Sequence, residues 1–122
     1  MTDPTKLTIK KTSEMLQNKE ITSVELTHVY LERIEKYNPK LNAFLTICKK
    51  ESIAQAKKAD KKIAHGDKNP LVGIPIASKD MFSTYGIKTT AASRVLENYV
   101  PQYSATVISK LEEESMVILG KT

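Results

Sequence analysis

The chain has 122 residues, of which 40% are hydrophobic, 27% charged and 6% aromatic, and this ordinary composition argues against a disordered tail. A chain of this length forms one globular core, or a piece of one, in which roughly two-thirds of the unfolded surface is buried. Cys48 is the only cysteine, so an internal disulfide is excluded and a reducing compartment is expected. No apolar stretch approaches the roughly 18 residues that a membrane span needs, and residues 1–10 lack the apolar segment of a secretion signal. We therefore expect a cytoplasmic protein with no membrane contact.

Two helices are predicted in the first part of the chain. Apolar residues at roughly helical spacing predict a helix over residues 7–18. A second helix is expected to begin after Thr22, because Thr22 and Glu25 fit a capping box in which each side chain binds the other residue's backbone amide. Pro39 is expected to end this helix, since the residue before a proline is biased away from helical geometry.

A strand and a third helix follow. Residues 41–47 form a compact apolar run that favours a strand, and residues 49–64 return to a helical period that ends just before Gly66. The densest basic stretch lies on the predicted helix, opposite its apolar side, and comprises Lys57, Lys58, Lys61 and Lys62. The net charge of +5 permits attraction to RNA where such residues cluster, but a solvated helix face explains the same pattern and is favoured.

The next part of the chain predicts a buried strand followed by a long loop. Residues 71–77 are almost wholly apolar, as in a strand that is buried on both faces. Pro75 cannot donate a hydrogen bond, so it places this strand at a sheet edge or requires an irregularity there. Residues 80–101 lack sustained periodicity and predict mainly loop, with a turn at Tyr85 and Gly86.

A fourth helix and a last strand complete the pattern. Ser104 is the predicted N-cap of the helix, whose inward residues are expected to be Val107, Ile108 and Leu111. Residues 116–119 predict a short buried strand at the edge of the sheet. The elements together predict an α/β fold class in which helices pack on a mixed sheet.

Two familiar site patterns fail on inspection. Residues 120–122 read Gly-Lys-Thr, as at the end of a phosphate-binding Walker A loop, but Ser115 stands where that motif needs a glycine. His28 and His65 have no Cys or His neighbour at ligand spacing, so a transition-metal site is not expected. We predict no cofactor bound by this chain.

Lys79 is the candidate catalytic residue that the pattern offers. It follows the apolar strand, and desolvation at the end of such a strand would favour the neutral amine, which can accept a proton. Composition alone favours a plainer interpretation, in which Lys79 and Asp80 form a solvated surface pair.

Residues 71–80, Leu-Val-Gly-Ile-Pro-Ile-Ala-Ser-Lys-Asp, resemble the strand that bears the catalytic lysine of the amidase-signature family. The likeness is greatest to the A subunits of tRNA-dependent amidotransferases and covers nearly the whole chain, through residues 20–26, 42–44, 86–90, 96–101, 105–107 and 117–122. The chain departs from that branch at Met81, Ala91, Ser104, Ser115 and Met116. At Ser115 the turn from helix to strand lacks its usual glycine, so we expect strain there.

The resemblance implies the N-terminal portion of the amidase-signature fold, with residues 1–122 as an incomplete domain that continues downstream. In that family a lysine, a serine held by a cis peptide bond and a nucleophilic serine open an amide through an acyl-enzyme. Lys79 matches the lysine, and both serines are expected beyond Thr122. Four serines of the chain lie outside any matching Gly/Ser-rich motif, namely Ser78, Ser83, Ser93 and Ser104. The chain alone is therefore expected to be inactive.

The resemblance also implies partners. The A subunit releases ammonia from glutamine for a B subunit, which uses ATP and magnesium to amidate Glu-tRNA(Gln) or Asp-tRNA(Asn), and a small C subunit bridges the two. Charged tRNA is expected to be bound by the assembled complex. Two alternatives remain open, a free-standing amidase acting on another small amide and a truncated, non-catalytic interaction protein.

Overall fold

A computed structural model describes residues 3–122. The described residues form four α-helices and three strands, which are α1 (Ile9–Gln17), α2 (Ser23–Leu41), β1 (Thr46–Ile47), α3 (Lys49–Ala64), β2 (Pro75–Ser78), α4 (Thr106–Glu113) and β3 (Val117–Lys121). Short 3₁₀ helices lie at Pro4–Lys6 and Arg94–Leu96. The predicted α/β class is confirmed, and no helix of the described residues is long and apolar enough to cross a membrane.

The three strands form a mixed sheet in the order β1-β3-β2. β3 pairs antiparallel with β1 and parallel with β2, so the prediction that the last strand lies at an edge is wrong. It continues past Leu119 to Lys121, and all five of its residues are buried. The expectation drawn from Pro75 is confirmed, because β2 is an edge strand within the described residues and its register shifts between Ile76 and Ala77.

Helix α2 begins as predicted and ends later than predicted. The Thr22 hydroxyl accepts a hydrogen bond from the Glu25 amide at 3.1 Å, and the Glu25 carboxylate accepts one from the Thr22 amide at 2.8 Å. The helix passes through Pro39 and ends at Leu41, where Asn42 adopts a φ of +49°. Pro39 has no N–H to donate, so the helix continues past it with one hydrogen bond fewer.

The core lies where α2 and α3 pack on each other and on the sheet. Its buried residues are Leu16, Leu26, Ala59, Ile63, Val72, Ile74 and Met116 in one cluster and Leu31, Ile34 and Leu119 in a second. Side chains of α3 also bind the backbone of the central strand: Ser52 Oγ donates to the Ile118 carbonyl at 2.8 Å, and Gln55 Oε1 accepts from the Ile118 amide at 2.8 Å. The four clustered lysines of α3 are exposed on the side away from this core.

The start of α4 differs from the prediction. Its N-cap is Ala105, with no side-chain hydrogen bond, and Ser104 Oγ instead accepts from the Tyr85 amide at 3.0 Å. Ser104 is therefore used to hold the preceding loop. Of the residues expected to point inward, Ile108 is buried and Val107 is exposed.

Ser115 forms the turn from α4 to β3 and carries a φ of +59°. Its carbonyl accepts from the Gly73 amide at 2.9 Å, which fixes the turn against the segment that leads into β2. A left-handed conformation at a residue with a Cβ is strained, so the strain expected at this position is confirmed.

Ser115→Gly should therefore stabilise the fold by roughly 0.5–1 kcal/mol, because glycine adopts a positive φ without a steric penalty. Urea unfolding of the purified protein gives the shift in midpoint. Ser109→Gly, which removes the same side chain from helical backbone within α4, is the matched control and should lower stability by about 0.5 kcal/mol. A lower midpoint for Ser115→Gly would contradict the strain.

Candidate active site at the end of the parallel strands

The parallel pairing of β2 with β3 brings the carboxyl ends of both strands to one edge of the sheet. Ser78 is in register with Lys121, and the Thr122 amide donates to the Ser78 carbonyl at 2.9 Å. The Asp80 amide in turn donates to the Thr122 carbonyl at 2.7 Å. The backbone of Lys79 is thus held on both sides by the single residue that follows β3.

The side chain of Lys79 projects from this fixed backbone and is exposed. Its ammonium group has no hydrogen-bond or ion-pair partner among residues 3–122. The desolvation expected from the sequence is therefore not supplied by the described residues, because β2 is an edge strand and nothing in this part of the chain covers its end.

Asp80 turns away from Lys79 and into the protein, where only 2% of it is exposed. One carboxylate oxygen, Oδ2, accepts from both the amide and the hydroxyl of Thr90, and the Asp80 carbonyl accepts from the Ala91 amide at 2.8 Å. The other oxygen, Oδ1, is buried without a partner among the described residues. The interpretation of Lys79 and Asp80 as a solvated surface pair is therefore wrong.

Lys121 is the fully buried lysine of this region, with 0% exposure. Its Nζ donates to the Phe82 carbonyl at 2.5 Å, to Thr84 Oγ1 at 2.8 Å and to Thr89 Oγ1 at 3.1 Å. Three acceptors match the three donors of an ammonium group. Burial lowers the pKa of Lys121 below its ordinary value, and the carboxylate of Asp80 opposes that shift.

Sequence reasoning missed Lys121, although a signal was present. The Gly-Lys-Thr triplet suggested a phosphate loop, and rejecting that loop left the lysine without a role. Lys121 directly extends an apolar strand, and the nearby loop of residues 82–90 is rich in hydroxyl groups. A buried ammonium group needs acceptors of that kind.

The loop between Asp80 and the 3₁₀ helix contains the predicted turn and two strained residues. Thr84 and Ile87 form an isolated bridge around Gly86, whose φ is +70°. Ala91 and Ala92 carry φ values of +49° and +54°. Such conformations persist only where neighbouring contacts hold them, and here the Ala91 amide is bound to the Asp80 carbonyl.

The remaining groups that could bind a metal or react are the histidines, the cysteine and the carboxylates. Residues 3–122 contain no group of three or more His, Cys, Asp or Glu side chains arranged to hold a metal ion. His28 is exposed, and His65 Nδ1 lies 2.6 Å from the Lys61 carbonyl oxygen at the end of α3. Burial, with a smaller contribution from Glu51, raises the pKa of the Cys48 thiol to about 11, so the thiol is protonated at neutral pH.

An apolar groove on the protein does not contact Lys79. It has a volume of about 450 Å³ and runs between α2 and the sheet. Tyr30, Tyr37, Phe44, Pro75 and Leu119 supply much of its apolar lining. We therefore place the candidate site at the end of the parallel strands and not in this groove.

Comparison with known proteins gives consistent matches. Residues 25–122 match the profile of the family described as Amidase. The chain is 51% identical over 122 residues to the A subunit of the glutamyl-tRNA(Gln) amidotransferase from Dehalococcoides mccartyi strain CBDB1, covering 100% of this chain and 25% of that protein. It is 50% identical over 115 residues to the protein of the same name from Geobacter metallireducens, covering 94% of this chain and 24% of that protein.

A solved structure shares the fold as well. The native peptide amidase from Stenotrophomonas maltophilia superposes with a TM-score of 0.90 at 27% identity, covering 96% of this chain and 24% of that one. The chain thus spans about a quarter of the length of the relatives it matches.

Asp80→Ala should destabilise the protein by about 2–4 kcal/mol, because it removes an acceptor bound by two donors and leaves the Thr90 amide unpaired. Asp80→Asn keeps one acceptor oxygen and should cost clearly less. Thermal unfolding of both variants beside the parent measures the difference. Equal midpoints for Asp80→Ala and the parent would show that the buried carboxylate contributes nothing to the fold.

Proposed function

Since the chain belongs to the amidase family, we propose that it is the lysine-bearing part of a glutamine amidase and that Lys79 is its catalytic lysine. The observation that carries this proposal is the 51% identity, over the whole chain, to the A subunit of a glutamyl-tRNA(Gln) amidotransferase. Lys79 follows β2, in a segment that resembles the lysine-bearing strand of the family, and its backbone is held by hydrogen bonds on both sides.

The proposed chemistry is acyl transfer. A neutral Lys79 accepts a proton, through a bridging serine, from a nucleophilic serine whose oxygen attacks the side-chain amide carbon of glutamine. The carbon–nitrogen bond breaks, the proton returns to the leaving nitrogen, and ammonia departs from an acyl-enzyme that water then hydrolyses to glutamate. Backbone donors of a Gly/Ser-rich segment hold the oxyanion.

We place both serines outside residues 1–122, because the chain spans a quarter of the length of its relatives and three of its own serines make other contacts. Ser104 Oγ accepts from the Tyr85 amide, and Ser83 Oγ lies 3.5 Å from the Tyr103 hydroxyl. Ser78 is buried and its Oγ lies 3.4 Å from the Lys79 carbonyl oxygen. None of the three is bonded to Lys79 Nζ among the described residues.

The ammonia serves a cytoplasmic, tRNA-dependent complex in this proposal. A B subunit with ATP and magnesium activates Glu-tRNA(Gln), or Asp-tRNA(Asn), and a C subunit bridges the two larger chains. The name shared by the relatives with about 50% identity supports the Glu-tRNA(Gln) form of the reaction.

A free-standing amide hydrolase is the second candidate, and the likeness to the peptide amidase favours it. That likeness rests on 27% identity, against 51% for the amidotransferase of Dehalococcoides mccartyi. Substrate choice separates the two candidates, because a free-standing enzyme hydrolyses small or peptide amides without a partner protein.

Lys79→Ala in the full-length protein should abolish ammonia release from glutamine while leaving the thermal unfolding midpoint unchanged, because the side chain is exposed and has no partner among the described residues. Lys79→Arg should fail as well, since a guanidinium group stays protonated and cannot act as a base. Lys68→Ala and Lys68→Arg, at an exposed lysine in the loop between α3 and β2, are the matched controls and should keep full turnover. Turnover near normal in either Lys79 variant removes Lys79 from the mechanism.

Residues 1–122 alone should release no ammonia from glutamine, because a base accelerates nothing without a nucleophile within hydrogen-bond reach and an oxyanion site. The measurement compares purified chain with its Lys79→Ala variant at equal concentration. Multiple turnovers that disappear in the variant would mean that a serine within the chain is the nucleophile.

A further inference from the structure

We propose that Lys121 is a positioning residue for Lys79: its buried ammonium group holds the loop that follows Lys79 against the end of the sheet. The catalytic part of this inference rests on the proposed function, in which Lys79 is the base. The structural part, that Lys121 orders the loop, stands on the contacts alone.

Lys121 is placed by the most constrained strand of the fold. β3 is paired on both sides, and Lys121 is in register with Ser78 of β2 and Thr46 of β1. The preceding residue, Gly120, fixes this placement, because an added Cβ would overlap the Thr46 carbonyl oxygen. The Lys121 side chain therefore starts from a backbone position that cannot shift easily.

From that position the ammonium group reaches the inside of the loop. Its three acceptors, at residues 82, 84 and 89, come from both arms of the turn around Gly86. One cation thus joins the two arms to each other and to the central strand. Thr84 and Thr89 are buried, at 0% and 4% exposure, so their hydroxyls have no access to water in place of the lysine.

The loop is also closed onto Asp80, the neighbour of Lys79. The Asp80 side chain binds the Thr90 amide and hydroxyl, and the Asp80 backbone binds the amide of Ala91 and the carbonyl of Thr122. Residues 80–91 therefore form a ring that begins and ends at Asp80, with the Lys121 ammonium inside it. The ring begins at the residue that directly follows Lys79, so a displaced ring would move the backbone from which the exposed Lys79 side chain projects.

A lysine is a costly way to fill such a space. Desolvating an ammonium group costs several kcal/mol, and apolar side chains of similar volume often serve a core equally well or better. What methionine cannot supply is three directed donors to a carbonyl and two hydroxyls. The geometry of the ring, and not volume, is therefore what Lys121 determines.

The test uses Lys121→Met in the full-length protein, with Lys110→Met, at an exposed lysine of α4, as the matched control. Because Lys121 acts through Lys79 and does not touch the substrate, kcat for ammonia release should fall by roughly 10- to 100-fold, the scale of a misplaced catalytic group, while KM for glutamine stays within about twofold. Hydrogen exchange at the amides of Asp80, Thr90, Ala91 and Thr122 should quicken at least about tenfold, and the control should change neither quantity.

A second set of variants tests the same role in case Lys121→Met does not fold. Thr84→Val with Thr89→Val removes two acceptors and keeps Lys121, whereas Thr84→Ser with Thr89→Ser restores both hydroxyls. We expect lower kcat and faster exchange in the valine pair, and rescue of both in the serine pair. Each variant is assayed at a temperature where it remains folded. An unchanged kcat in the folded valine pair or in folded Lys121→Met would overturn the positioning role.

Different results would contradict the proposed function and the proposed role of Lys121. If the parent protein hydrolyses no glutamine, the proposed function is contradicted, and exchange in residues 80–91 still decides whether Lys121 orders the loop. Exchange that is unchanged in folded Lys121→Met would overturn the inference even where the parent is active.

Discussion

The end of the sheet depends on one backbone arrangement, in which the peptide of Thr122 lies between Ser78 and Asp80. Its N–H donates to the first and its C=O accepts from the second, at 2.9 and 2.7 Å. This bridge exists only because β2 and β3 run parallel and end together. It makes the position of Lys79 a property of the sheet, and it brings the loop of residues 80–91 within reach of Lys121. The proposed catalytic lysine therefore needs a rigid neighbour strand more than it needs any side-chain contact of its own.

Two lysines at this edge have opposite surroundings. Lys79 is exposed and lacks a partner among the described residues, whereas Lys121 is buried and makes three hydrogen bonds. The side chain of Asp80 faces inward to Thr90, and its negative charge opposes the lowering of the Lys121 pKa that burial causes. The site thus has a buried polar support beneath an exposed lysine, and this arrangement is compatible with the proposed role of Lys79 as a base.

Local patterns predicted the parts of this structure that depend on local chemistry. The bounds of α3, the Thr22 and Glu25 capping box, the left-handed Gly66 after α3 and the irregularity near Pro75 all follow from neighbouring residues. Two of the errors came from long-range contacts. Ser104 binds the Tyr85 amide 19 residues away instead of capping α4, and β3 became the central strand because a distant strand pairs on each side of it. A charged residue at the end of an apolar run gives no sign of its burial until the acceptors from residues 82–89 are placed around it.

The central claim is that this chain belongs to an amidase that takes ammonia from glutamine and passes it to an aminoacyl-tRNA. Its most direct test follows the nitrogen: full-length protein is supplied with glutamine labelled with ¹⁵N in the side-chain amide, together with B and C subunits, ATP, magnesium and Glu-tRNA(Gln), and the amino acid released from the tRNA is weighed. We predict Gln-tRNA(Gln) that carries the ¹⁵N label, with loss of the label when the full-length protein is omitted. Unlabelled tRNA-bound glutamate, beside rapid hydrolysis of simple or peptide amides without any partner, would contradict the claim and identify a free-standing amidase.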